Sequence, residues 1–298
     1  KNGNDTTGNG STGTPWKTIG KALDSMGNGD TLLLRGSDVA DEWYYQADKS
    51  NALNSITIRP DAGHTPVITS TLTTTLTGFA KTDGYTNIYE KATAVNPYGG
   101  VYHGDTFLTA RSDLATVDAN VNSYRYTSGV LYVHVTGGGD PGTIIGCGHF
   151  NNPTITLSGT GCAITGLTHR YISKALAVSG AGSTISNVTL DHLGTWSPVY
   201  ILLDADACEL RDSIITAPNR INNTHYSVRL GASSSNCRVT RVNAYMGGEQ
   251  IAILGGTGHI ISDCILDAPY GPCMMWRAGS GGTVTLTTMI NGGYGTID

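Results

Sequence analysis

A chain of 298 residues with a formal net charge of −5 and only 14 % charged side chains excludes a phosphate-binding surface, which needs clustered Lys and Arg. Its 39 % hydrophobic residues suffice for a packed core and exclude disorder, and no apolar run approaches the roughly 18 residues that a bilayer span requires. Glycine, at 40 residues, is about twice its usual share, and with abundant Thr, Ser and Asn it suits many short strands joined by tight turns.

The first predicted element is a helix. Pro15 fits the first helical position, and Trp16, Ile19, Leu23 and Met26 recur at helical spacing as one apolar stripe. Gly27-Asn28-Gly29 stops it, and a strand follows over residues 30–36. A lone amphipathic helix ahead of a long β-rich stretch is what a solenoid needs over its open first coil.

At this point a resemblance becomes specific. Lys1-Asn2-Gly3-Asn4-Asp5, Gly8-Asn9-Gly10, Thr14-Pro15-Trp16-Lys17-Thr18-Ile19, Ala22-Leu23 and Gly29-Asp30-Thr31 resemble the entry to pectate-lyase-like right-handed parallel β-helix proteins. That group contains secreted polysaccharide-active enzymes, adhesins, and phage tailspike and other virion proteins. The resemblance implies an all-β, single-stranded parallel β-helix with an N-terminal capping helix and a small β insertion. It implies no particular chemistry, since fold alone does not fix function.

Three regions follow: cap helix and first coils over residues 1–78, a β-rich insertion over 79–150, and coils over 151–298. In the insertion, Tyr124-Arg125-Tyr126 turns through Thr127-Ser128-Gly129 into residues 130–135 as a hairpin, and 104–111 adds further β structure. In the last region two registers move together. One aligns Ile164, Ile185, Leu210, Val239 and Ile261, at spacings of 21, 25, 29 and 22 by subtraction. The other aligns residues 176–178, 201–203, 228–230, 252–254 and 275–277, at spacings of 25, 27, 24 and 23. One coil per repeat is implied. Gly166, Asn187, Asp212, Arg241 and Asp263 fall two residues after the first register, where a tight turn is expected, so Asp212 and Asp263 read as turn formers. Cys162, Cys208 and Cys237 share a register two residues before it and read as stacked core filling. The six cysteines, Cys147 and Cys273 at the extremes, contain no CxxC pair and read as free buried thiols.

Chemistry is expected on the turns after the first strand of each coil, which begin with residues such as His169-Arg170-Tyr171. Counting six from the aligned residue gives a ridge of Arg170, Asp191, Thr216, Tyr245 and Asp267. Such a ridge, with Tyr171, Trp196, Tyr245, Glu249 and Tyr270 as stacking and hydrogen-bonding groups, suits a polysaccharide or surface glycan. A lyase would use Arg170 or Arg220 to neutralise a uronate and His192 or His225 as base. A glycosidase would pair Asp191 with Asp267 or Glu249. Against both stands the ordinary solvated turn, which gathers Asp, Arg and His without chemistry. No metal centre or other cofactor is indicated; Asp204 and Asp206 are at most a weak Ca²⁺ pair.

The function expected is an extracellular or virion-associated protein, of the phage tail, fibre or decoration type, that binds glycan or partner proteins through its outer face. A polysaccharide lyase or glycosidase on the same face is the alternative. The C-terminal run lacks an amphipathic capping helix, which points to a homo-oligomer, trimeric by analogy with tailspikes, or an assembly partner at that end. Neither nucleic acid nor a membrane span is expected.

Overall fold

The computed structural model describes residues 3–35, 42–45, 49–70, 73–94, 96–97, 100–104, 106–147, 155–170, 175–191, 199–217, 226–246, 249–268, 271–278 and 281–290. The chain forms a nearly all-β parallel solenoid. Eight first-register strands stack in order, from Thr31–Leu34 through Thr57–Pro60, Ala163–Thr165, Thr184–Ser186, Glu209–Ala217, Arg238–Met246 and Ile260–Ser262 to Thr283–Thr285.

The predicted column is present residue for residue. Ile164 lies opposite Ile185, Ile185 opposite Leu210, Leu210 opposite Val239, and Val239 opposite Ile261. All five are fully buried, and each contributes roughly 1.5–3 kcal/mol of apolar transfer. The second register holds for three coils and then slips by one residue. Val228 pairs with Ile251 and Ile251 with Met274, one position earlier than the spacing predicted. The runs 251–254 and 274–276 are apolar on both faces, so alternation could not mark the inward side, and a one-residue slip exchanges the faces.

The turn positions behave as expected. Gly166, Asn187, Asp212, Arg241 and Asp263 all have positive φ, between 51° and 70°. Leu286 continues this stack with φ 48° and is 84 % exposed. A left-handed conformation costs a non-glycine residue about 1–2 kcal/mol, and an exposed leucine regains little by packing. Leu286→Gly is therefore expected to raise the urea-unfolding free energy by about 1 kcal/mol; an unchanged or lower value would contradict this account.

The cap helix is shorter than predicted. It spans Ile19–Ser25 with Thr18 as N-cap, whose hydroxyl accepts the Lys21 N–H. Pro15 and Trp16 lie ahead of it: the Pro15 carbonyl accepts the Asn4 N–H, and the Trp16 indole N–H donates to the Gly8 carbonyl at 3.1 Å. A hydroxyl cap satisfies an orphan helical N–H, which Pro15 cannot do, and the Asp5 carboxylate fixes that cap by accepting from the Thr18 N–H and hydroxyl. Ile19, Ala22 and Leu23 face the core, so the helix does close the first coil.

Antiparallel sheets interrupt the solenoid after its second coil. Ser123–Thr127 and Val130–His134 form the predicted hairpin, turning at Ser128 and Gly129, both at positive φ, as a two-residue hairpin loop demands. The antiparallel pairing also takes in Thr73–Leu76 with Ile144–Cys147, and a separate core forms around Val101, Leu108, Leu131 and Val133. Beyond it the chain returns to register, with Ile164 directly on Ile58.

Cys162, Cys208, Cys237, Cys264 and Cys273 are free and buried. The column Cys162, Ser183, Cys208, Cys237 has a repeated job. Each side chain donates to a turn carbonyl of the coil before, Leu53, Gly159, Gly180 and Ala205 respectively, at 3.1–3.4 Å. Small donors at this position satisfy acceptors that would otherwise be stranded inside the core.

Candidate functional site

The ridge is one continuous ladder. Arg170 lies opposite Asp191; Leu190 lies opposite Ile215, which brings Asp191 to Thr216; Thr216 faces Tyr245, and Tyr245 faces Asp267. The Arg170 guanidinium pairs with the Asp191 carboxylate at 3.3 Å, while its Nε is buried without a partner. Tyr245 is 40 % exposed and presents its ring on this face.

His169 does not belong to the ridge. It points inward in a column between Ile68 and Leu190, with 0 % exposure and neither ring nitrogen bonded. Burial drives its pKa down to about 3. Strand alternation places it there: Leu167 and His169 are buried, whereas Thr168 and Arg170 are not.

The pairing of Asp191 with Asp267 fails on distance. Three rungs of about 4.8 Å separate them, roughly 14 Å in all, against roughly 5–9.5 Å for glycosidase carboxylate pairs. His192, Trp196, Arg220, His225, Tyr171 and Tyr270 lie outside the described residues.

The most unusual chemistry sits around the corner, where Tyr245 is followed four residues later by Glu249. Tyr226–Leu230, Glu249–Ile253 and Met274–Trp276 are neighbouring strands of the second sheet. Ile251 and Ile253 enter the core, and Tyr226 and Glu249 lie opposite one another with Tyr226 in a separate cluster with Val199 and Ala252. Although Glu249 is only 3 % exposed, its Oε2 has no partner, and Oε1 is 3.9 Å from the Arg277 guanidinium. That guanidinium lies over the Tyr226 ring, 5.7 Å from its centroid. Burial pushes the Glu249 carboxyl up from its ordinary range; Arg277 and the Tyr226 hydroxyl pull it back only in part. Burial and the Glu249 charge likewise raise Tyr226, against Arg277 and Arg229. The Arg229 Nε, on the Tyr226 strand, is likewise buried without a partner.

An inward pair anchors this corner. The Ser227 hydroxyl donates to Gln250 Oε1 at 2.6 Å, and Gln250 Nε2 donates to the Asp267 carbonyl at 2.8 Å. Both side chains are fully buried. The residue after Glu249 therefore ties the corner to the end of the ridge. A buried carboxyl biased toward its neutral form, with the Tyr226 phenol and the Arg277 guanidinium beside it, can donate a proton or hold a hydroxyl-rich ligand.

Sequence reasoning singled out Glu249 but missed Tyr226, Arg229 and Arg277, which stand on neighbouring coils and carry no local motif. As to calcium, Asp206 accepts the Ser235 N–H at 2.8 Å, and among the described residues no three His, Cys, Asp or Glu side chains are grouped to hold a metal ion.

No protein-family model matches the chain, and no curated protein matches it. Two solved structures do. One, described as the complex of XylC with xylose, has a TM-score of 0.60 and 11 % identity over 96 % of this chain and 68 % of its own. The other, described as a glycoside hydrolase, has a TM-score of 0.58 and 8 % identity over 98 % of this chain and 95 % of its own. At such identities the likeness shows the fold alone, a parallel β-helix.

Proposed function

We propose that this is an extracellular or virion-surface β-helix protein, of the phage tail, fibre or decoration type, that binds glycan at the corner around Glu249 and along the adjoining ridge. The observation that carries the glycan reading is the Glu249 carboxyl, buried off the core with an oxygen left unbonded. A saccharide hydroxyl satisfies such an atom, and Tyr245, 40 % exposed on the adjoining ridge, supplies a flat face that sugar rings stack on. The low charge and the Gly, Ser and Thr content fit an exposed repetitive protein. Leu286, Met289 and Ile290, 84 %, 38 % and 40 % exposed at the last described coil, fit assembly of copies there. Light scattering checks that part: a monomer at micromolar concentration counts against it.

A second reading, glycoside hydrolysis at the same corner, is favoured by the raised pKa of Glu249, which keeps a proton available for a leaving oxygen. For a lyase, Arg170 is already paired with Asp191, which leaves Arg220, outside the described residues, as the cation. One screen separates the three: the purified protein against neutral and acidic polysaccharides, read by calorimetry, by reducing-sugar release and by the ultraviolet absorbance of an unsaturated product. Binding without either product supports the first reading. No binding to any member of the panel sinks both glycan readings.

A further inference from the structure

At the opposite end of the solenoid lies a cleft of about 660 Å³ between the cap helix and the strand Thr31–Leu34. Trp16, Ile19 and Met26 form one wall, and Leu32, Leu33 and Arg35 the other. Among the described residues this strand is the outermost of its sheet, hydrogen-bonded only to Thr57–Pro60.

The ladder geometry shows what the cleft lacks. The Thr57 N–H donates to the Asp30 carbonyl and the Asp61 N–H to the Leu34 carbonyl, both at 2.9 Å. In a parallel ladder alternate residues address the same neighbour, so residues 30, 32 and 34 face the second coil. The N–H and C=O of Thr31 and Leu33 consequently point away from it, along the cleft, and among the described residues no hydrogen bond reaches either.

Several of the polar side chains that line the cleft are, by contrast, already engaged. Arg35 binds Asp61, Asp30 accepts the Gly27 N–H, the Ser25 hydroxyl donates to the Lys21 carbonyl, and Thr18 caps the helix. The unmet demand that repeats regularly is for main-chain partners, two donors and two acceptors at every second residue, about 6.6 Å apart. A saccharide or small ion does not carry that repeat; an extended polypeptide does. A whole coil of a second copy is a poor fit, because the outer face of the cap helix carries the exposed polar residues Lys21, Asp24 and Ser25.

We propose that this cleft takes a single extended segment of a partner polypeptide, which adds a strand parallel to Thr31–Leu34. Leu34 is 1 % exposed and Leu32 packs on the core, so the added strand carries apolar side chains at the positions above them, beneath Ile19 and Met26. Its alternate side chains lie beside Thr31 and Leu33 and face solvent.

The first test is amide exchange on the free protein, where Leu32 and Leu34 are expected to exchange slowly and Thr31 and Leu33 fast. Slow exchange at all four overturns the proposal, because the edge is then already covered. The second test uses a fluorescein-labelled synthetic peptide Gly-Gly-Thr-Val-Thr-Leu-Thr, which copies residues 281–287, the strand that ends this same ladder. Its anisotropy is expected to rise and saturate, with exchange at Thr31 and Leu33 slowing on binding. Leu33→Pro removes a cleft-facing N–H that the ladder does not use, and Leu33→Lys leaves the main chain intact but sets a charge on the edge. The first is expected to weaken peptide binding about tenfold, as loss of a main-chain hydrogen bond would, with unfolding midpoint unchanged in Leu33→Lys. Binding that Leu33→Pro does not alter, or no saturation at all, overturns the proposal. So does sedimentation showing a dimer of the free protein that Leu33→Pro abolishes, since a second copy is then the occupant.

Discussion

Replacing His169 by leucine is expected to stabilise the protein at neutral pH and to remove most of its sensitivity to mild acid. The imidazole is fully buried between Ile68 and Leu190, with both nitrogens unbonded. A buried polar group without a partner costs about 1–3 kcal/mol, and leucine restores the apolar column at similar volume. The acid effect is larger. With the folded pKa near 3 and an unfolded value of about 6.5, the unfolded chain takes up a proton below pH ~6.5 that the folded chain refuses. The His169 contribution to wild-type stability is thus complete above that pH and falls by about 1.4 kcal/mol per unit as the pH drops, a loss of about 4 kcal/mol by pH ~3. Urea unfolding at pH values from neutral to acid, wild type against His169→Leu, reads both effects. Parallel curves for the two proteins would show that His169 does not supply the slope.

The same residue shows where the sequence stops being legible. Its inward direction follows from the alternation of Leu167, Thr168, His169 and Arg170, but a histidine beside an arginine reads as solvent-facing, and polarity masks the period. Glycine, asparagine and aspartate at positive φ made the turns visible, and one aliphatic residue per coil made the first column visible. Where two faces are both apolar, as at Ile251 and Met274, the register became ambiguous by one residue. The ridge from Arg170 to Asp267 was legible because it lies at a fixed offset from a readable column. The cluster of Tyr226, Arg229, Glu249 and Arg277 was not: its members belong to three coils, and only the stacking of those coils brings them together.

His169 apart, which is inward and yet unbonded, that stacking also separates two kinds of polar group. Ser183, Ser227, Gln250 and the cysteine column are inward and satisfied, each closing a hydrogen bond between coils or across a corner. Glu249 Oε2 and Arg229 Nε are buried and unsatisfied, and Tyr226, opposite Glu249, clusters apart from the core. Inward polar groups with partners hold a fold together. Buried ones without partners, off the core, are where the proposed glycan would complete the structure, and their cost is carried by the well-packed coils on either side.

Glu249→Gln is the substitution that separates gripping a glycan from cutting it. Glutamine keeps the shape and hydrogen-bonding capacity of a neutral carboxyl but has no proton to give. If the corner hydrolyses a glycoside with Glu249 as acid, the variant is expected to lose about 10²–10⁴-fold in kcat, while saccharide affinity changes far less. The wild-type rate should also fall on the alkaline side, as the pH rises through the elevated Glu249 pKa and the proton is lost, and this limb should be missing from any residual rate of the variant. Stability moves the other way. A carboxyl whose folded pKa lies above its unfolded value stabilises the fold fully only below the unfolded value, and the contribution is lost as pH rises through the folded one. Because glutamine stays neutral throughout, the variant is expected to resist urea better than wild type at pH ~8 and about equally at pH ~4. Full activity in the variant would remove Glu249 from the chemistry, and equal stability at both pH values would show that burial does not hold its proton. If no substrate is cut at all, Glu249→Ala, which deletes the unbonded oxygen altogether, should still weaken glycan binding by about tenfold or more, and unchanged affinity would move the binding face away from this corner.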